Sequence, residues 1–138
     1  MDAIRLLRAD LAGRCPPESI DVAARWLKRR PLAPEDAIFY QYRDFPSPDP
    51  TQPEGELEVA TLQGTCLWVL RVSGESTTEF MVPLRSIDRF RIVEKPDKTT
   101  VDLNHGECTT WLEQKPGPVV GSDLLAFAAL FEARLAKS

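Results

Sequence analysis

The hydrophobic positions of this chain change period twice. Near the start, Ile4, Leu7 and Leu11 recur at helical spacing, which predicts a helix over 2–13 stopped by Gly13. Pro16-Pro17-Glu18-Ser19 reads as a fresh helix start, because proline is tolerated in a first turn and Glu18 suits the positive end of the dipole. Ile20, Ala23, Ala24 and Leu27 give this second helix its apolar stripe, and Pro31 prevents its continuation. From Leu57 the period drops to two. Leu57–Gln63, Thr65–Val72, Thr77–Leu84, Ile87–Glu94, Thr99–Leu103 and Cys108–Gln114 read as strands. Between them lie Gly64, Ser73-Gly74-Glu75-Ser76, Lys95-Pro96-Asp97-Lys98 and Asn104-His105-Gly106-Glu107, all turn chemistry. Cys66-Leu67-Trp68-Val69-Leu70 is apolar on both faces and predicts a central strand. The helical period then returns. Leu124, Phe127, Ala128, Phe131 and Leu135 predict an amphipathic helix over 122–136, with Ser122 as N-cap and Asp123 in its first turn.

Two stretches are less regular. Pro34-Glu35-Asp36 resembles a helix start, yet Ile38-Phe39-Tyr40-Gln41-Tyr42 is aromatic and β-prone, which favours a short strand. Phe45 to Gly55 is spaced by four prolines, which remove backbone donors and disfavour helix before each ring. The implied organisation is an N-terminal helical segment over 1–45, a proline-rich connector over 46–56, and a sheet with its terminal helix over 57–138. The fold class is α+β: a bent antiparallel sheet or partly open barrel, closed by the C-terminal amphipathic helix.

Five or six strands followed by one helix resemble the pleckstrin-homology-like superfold. The run Phe80-Met81-Val82-Pro83-Leu84-Arg85-Ser86-Ile87, then a strand, a hairpin and a helix, resembles its bacterial and GRAM-type members. The resemblance implies seven strands, a number reached here by splitting at Gly64 and including the aromatic run. It also implies a strand edge, or a groove beside the terminal helix, open to a peptide. Phosphoinositide-binding members carry Lys and Arg around the first hairpin. The corresponding Gln63-Gly64-Thr65-Cys66 has no charge, so headgroup binding is not carried over. Phe127 and Phe131 stand in the final helix, where many eukaryotic members have tryptophan.

Composition narrows the function classes. The 138 residues are 43% hydrophobic and 28% charged, enough for one core and too few for two large domains. Net charge is −4, whereas a dedicated nucleic-acid domain is normally basic, which argues against a nucleic-acid partner. The charge is uneven: residues 1–45 carry eight basic against seven acidic side chains, and residues 46–138 carry nine against fourteen. Cys15, Cys66 and Cys108 are odd in number and form no CxxC, which argues against a zinc ribbon, a redox motif or a disulfide scaffold. Charges interrupt Met1–Asp10, so it lacks a signal-peptide core, and no stretch approaches the length of a membrane span. A cytoplasmic location is the expectation.

No GxSxG, P-loop, dinucleotide glycine motif or HExxH occurs, so no catalytic role is expected; an enzyme would need a site built without any recognisable piece. No cofactor or metal is expected either. His105 reads as an exposed turn residue, and Cys15, before Pro16-Pro17, as the most accessible thiol. Two basic groups remain as candidate binding residues. Arg25, Lys28, Arg29 and Arg30 crowd the end of the second helix, where they complement the dipole and could hold an anionic lipid headgroup or polyphosphate. Arg89 and Arg91 share one face of a strand, near Arg85, and could meet an acidic peptide. The expected function is a non-catalytic protein-interaction module, an adaptor or regulatory subunit whose partner is another protein.

Overall fold

The computed structural model describes residues 2–45, 54–74, 76–115 and 121–137. Among these residues, three helices, α1 (Ala3–Leu11), α2 (Pro17–Arg29) and α3 (Leu124–Lys137), accompany seven strands: β1 (Ala37–Phe45), β2 (Glu54–Gln63), β3 (Cys66–Ser73), β4 (Ser76–Pro83), β5 (Ile87–Lys95), β6 (Lys98–His105) and β7 (Cys108–Gln114). Strands β1–β4 form one antiparallel meander and β5–β7 a second, and the two sheets do not close into a barrel. A 3-10 turn, Leu84–Ser86, carries the chain from one to the other.

The α+β architecture with N-terminal helices and a closing C-terminal helix is as the periodicity predicts. The aromatic run is a strand, and a longer one than expected. Residues 37–45 therefore belong to the first sheet, with Phe39 opposite Ala60 and Tyr40 opposite Val59. Residues 54–56, read as connector, instead open β2. The connector's Pro46–Pro53, the turn residue Glu75, and Pro116–Val120 lie outside the described residues.

The first sheet is covered on both faces, which is why β2 and β3 are almost continuously buried. Its outer face, Tyr40, Leu57, Val59, Leu70 and Val72, receives Leu7, Leu11, Ala23, Trp26 and Leu27 from α1 and α2. Its inner face, Phe39, Ala60, Leu62, Leu67, Val69 and Val82, packs on Val101, Leu103 and Leu112 of the second sheet and on Leu124, Phe127, Ala128 and Phe131 of α3. The helical segment is thus a layer of the fold. At roughly 1.5–3 kcal/mol per large apolar side chain removed from water, each face contributes substantially to stability.

Local chemistry sets the helix ends. The Asp2 carboxylate accepts from the N–H groups of Ile4 and Arg5 at 3.1 and 3.3 Å, a cap worth about 1 kcal/mol. Gly13, at φ 77°, ends the α1 turn. Ser122 departs from its expected role as N-cap of α3. Its hydroxyl accepts from Tyr40 N–H at 2.9 Å and so ties the chain to β1. The first N–H groups of α3 instead meet Gln114 Oε1 (to Leu124, 3.0 Å) and Asp123 Oδ1 (to Leu125, 3.1 Å). Gly121, at φ 147°, bridges to Gln41, and a Cβ there would collide with the Tyr40 carbonyl.

The thiols fall in a different order from expectation. Cys15 is buried under α1 and α2, while Cys108 is the exposed one. The tightness of helical packing, which the loop composition around Cys15 conceals, decides this.

Candidate functional site

Strand alternation puts Gln41 and Arg43 of β1, Glu56 and Glu58 of β2, and Arg71 of β3 on the inner face of the first sheet, in line with the apolar core. Cross-strand register then places Arg43 opposite Glu56, Gln41 opposite Glu58, and Glu58 opposite Arg71. The sandwich is therefore apolar at the α3 end and charged at the other. Glu58 is 1% exposed. Its Oε2 accepts from Arg71 Nε at 2.7 Å and lies 3.9 Å from Arg43, and its Oε1 accepts from Gln41 at 3.3 Å. Arg43 also reaches Glu56 at 2.8 Å and Glu113 of β7 at 3.4 Å, and Glu113 in turn holds Lys98 at 3.1 Å. Glu113 raises the pKa of the Lys98 ammonium, first by the hydrogen bond and then by its charge.

Three carboxylates face three cations in this cluster, and both Glu58 oxygens are engaged. The arrangement braces the two sheets against each other. Sequence reasoning passed over it. The available signal was a polar residue on the inward parity of three neighbouring strands, and only the register brings those residues to one place.

The same side chains guard a strand edge. The backbone carbonyls of Trp111 and Glu113, on the outer side of β7, accept from Arg71 (3.0 Å) and Gln41. The outer side of β1 is met by Gly121 and Ser122. Among the described residues, no strand pairs with the remaining edges, those of β4 and β5.

Arg89 lies on the β5 edge and borders two shallow grooves. One, of about 410 Å³, runs beside α3 and is lined by Leu84, Arg85, Ile87, Asp88, Phe90 and Leu135 as well as Arg89. The other, about 280 Å³, lies between Arg89, Arg91, Asp102 and Asn104. Phe90 points the opposite way from Arg89 and Arg91 and stacks on Phe131, with ring centroids 5.0 Å apart. Arg91 is 3.7 Å from Asp102. Arg85 and Arg89 are exposed and form no ion pair with any described residue.

The N-terminal basic group is split by the fold. Arg25, Lys28 and Arg29 are exposed on α2. Arg30 leaves them: it caps the Trp68 ring at 4.1 Å, lies 5.5 Å from the Trp26 ring, and pairs with Glu79 of β4 at 2.7 Å. It therefore anchors the end of α2 to the outer face of β3 and β4. Arg30→Ala is expected to lower stability by about 1–2 kcal/mol, the sum of a partly desolvated cation–π contact and a half-exposed ion pair. Chemical denaturation reads this directly, and a loss under about 0.5 kcal/mol would return Arg30 to the ordinary surface cations.

His105 is half-buried, with Nε2 2.7 Å from Thr110 Oγ1, so it is less exposed than its turn position predicts. Among the described residues, no group of three or more His, Cys, Asp or Glu side chains is placed to hold a metal, and no helix is long and apolar enough to cross a membrane. No family model, curated protein or solved structure matches the chain.

Proposed function

We propose that this chain is a non-catalytic protein-interaction module, an adaptor or regulatory subunit, that docks an acidic extended segment of another protein between β5 and α3. The observation that carries the reading is Arg89, on an unpaired strand edge and common to both grooves, with Arg85 at its side and no acid paired to either among the described residues. Arg85 and Arg89 outnumber Asp88 in the groove beside α3, and a locally positive groove on a chain of net −4 favours an acidic partner there and disfavours unspecific anions elsewhere. Phe90 and Leu135, both partly buried, offer apolar surface in the groove, and an edge strand offers backbone groups to an added strand. Seven strands, four and three, ahead of one helix also agree with the number that the pleckstrin-homology-like resemblance implies. The proposed location is the cytoplasm, because Cys15, Cys66 and Cys108 are odd in number, lie far apart in sequence and form no CxxC, a pattern unlike that of a secreted disulfide scaffold.

The test uses Arg89→Glu with Arg91→Glu. Both side chains are exposed, so the double variant keeps its melting temperature. Its affinity for a fluorescein-labelled peptide of alternating Glu and Val is expected to fall by about tenfold or more. Equal affinity in the well-folded double variant removes this face. Co-sedimentation with phosphatidylserine vesicles at two salt concentrations addresses Arg25, Lys28 and Arg29. Salt-sensitive vesicle binding without peptide binding would favour the reading as a binder of anionic headgroups instead.

A further inference from the structure

Helix α3 is apolar on both sides. Leu124, Phe127, Ala128 and Phe131 face the core. The opposite side also lacks polar cover: Leu130 is 58% exposed, Leu125 39%, and Ala126, Ala129 and Ala133 are exposed between them. A helix apolar all round is normally enclosed on all sides. Charge is scarce on this side because Arg134 is turned inward, donating to the carbonyls of Gly64 and Glu35 and lying 3.9 Å from Asp36.

Glu132 is exposed beyond Leu125, on the far side from Leu130, and the two charges in line with Leu130 are arranged with a direction. Asp123, Leu130 and Lys137 fall on one line along the helix, about two turns apart on either side of Leu130. An identical helix laid antiparallel across this line brings Leu130 against its own copy, and each Asp123 against the Lys137 of the other chain. A parallel copy would bring Asp123 against Asp123. The alanines let the two helices approach closely, and antiparallel dipoles add to the preference. The face is thus complementary to itself in one orientation.

We propose that the outward face of α3 is the contact surface for a second copy of this chain, docked antiparallel about a two-fold axis at Leu130. The helix has 14 residues, about 21 Å of length. Such a contact falls short of the roughly 800 Å² per partner of a standard interface, so the dimer is weak, with a dissociation constant on the order of 100 µM. Weak self-association lets the chain present two copies of its partner groove when its local concentration is high, which raises avidity for a repeated target.

Sedimentation equilibrium of the full chain tests this. The wild type is expected to be monomeric at about 5 µM and largely dimeric at about 500 µM. Leu130→Glu places two carboxylates at the axis and is expected to remain monomeric throughout, with an unchanged thermal melt because the side chain is exposed. Lys137→Glu and Asp123→Lys each set like charges together and are expected to weaken the dimer by about tenfold, while an equimolar mixture of the two restores it as a heterodimer. Asp123→Lys also removes the acceptor of the Leu125 N–H, so Leu130→Glu and Lys137→Glu carry the test if that variant folds poorly. A monomeric wild type at the high concentration overturns the proposal. So does a Leu130→Glu variant that dimerises like the wild type, or a mixture of two folded charge variants that stays monomeric.

Discussion

Replacing Phe131 with alanine should lower the unfolding free energy by about 3–5 kcal/mol, a large share of the stability of a domain this size. Phe131 is fully buried. Its ring lies 5.0 Å from Phe90 of β5 and, edge-on, 6.2 Å from Phe127, which in turn lies 5.9 Å from Phe39 of β1. The three contacts run from the second sheet through α3 to the first sheet. Truncation therefore opens a cavity where three elements meet, and no one of them can move in to fill it without leaving another contact. Phe127→Ala should fall in the same range, since Phe127 is 2% exposed. Urea denaturation checks both. A loss below about 1 kcal/mol would mean that the sandwich collapses freely around α3, contrary to the packing described.

The second large effect is expected at Glu58. Glu58→Leu leaves Arg71 and Arg43 without the carboxylate they share, and should cost about 3 kcal/mol. The two guanidinium groups keep about a quarter of their exposure (27% and 20%), so water screens part of the orphaned charge and the loss stays at the lower end for a broken buried pair. Arg71→Leu added to Glu58→Leu should cost less than the two single changes together, because removing the cation relieves the burial that the first change left unbalanced. Arg71 also donates to the Trp111 carbonyl and lies 5.4 Å from the Phe80 ring, so the double variant does not return to wild-type stability. Strictly additive losses in a double-mutant cycle would show that Glu58 and Arg71 are neighbours without being coupled.

How far the site was legible follows from the range of the forces involved. Arg89 and Arg91 were placed on one exposed face by strand alternation alone, and the structure puts them there with Phe90 turned inward. The groove that Arg89 borders beside α3 needs Leu84 and Leu135, residues far apart in sequence, and was visible only as a general feature of a sheet plugged by a helix. Arg30 reads as one of four clustered cations, yet it departs from the other three because Trp68 and Glu79 wait on strands that the sequence does not locate beside it. The Glu58 cluster was not read at all.

Local periodicity by itself determined the elements: where the chain is helical, where it alternates, and that one terminal helix is available to cover a sheet. It did so because backbone geometry repeats every 3.6 or two residues, and an apolar stripe with that period has one economical way to leave water. The long-range pairing was decided only by the tertiary structure. β1 joins the first sheet across the proline-rich stretch, so residues 37–45 leave the helical segment. Ser122 ties to β1 rather than capping α3, and Cys15 disappears under two helices. Arg43, Glu56, Glu58 and Arg71 meet Glu113 at the charged end of the sandwich. Each of these depends on register and on which face a neighbouring element covers. Alternation fixes which residues share a side of a strand, but only packing chooses which side is inside.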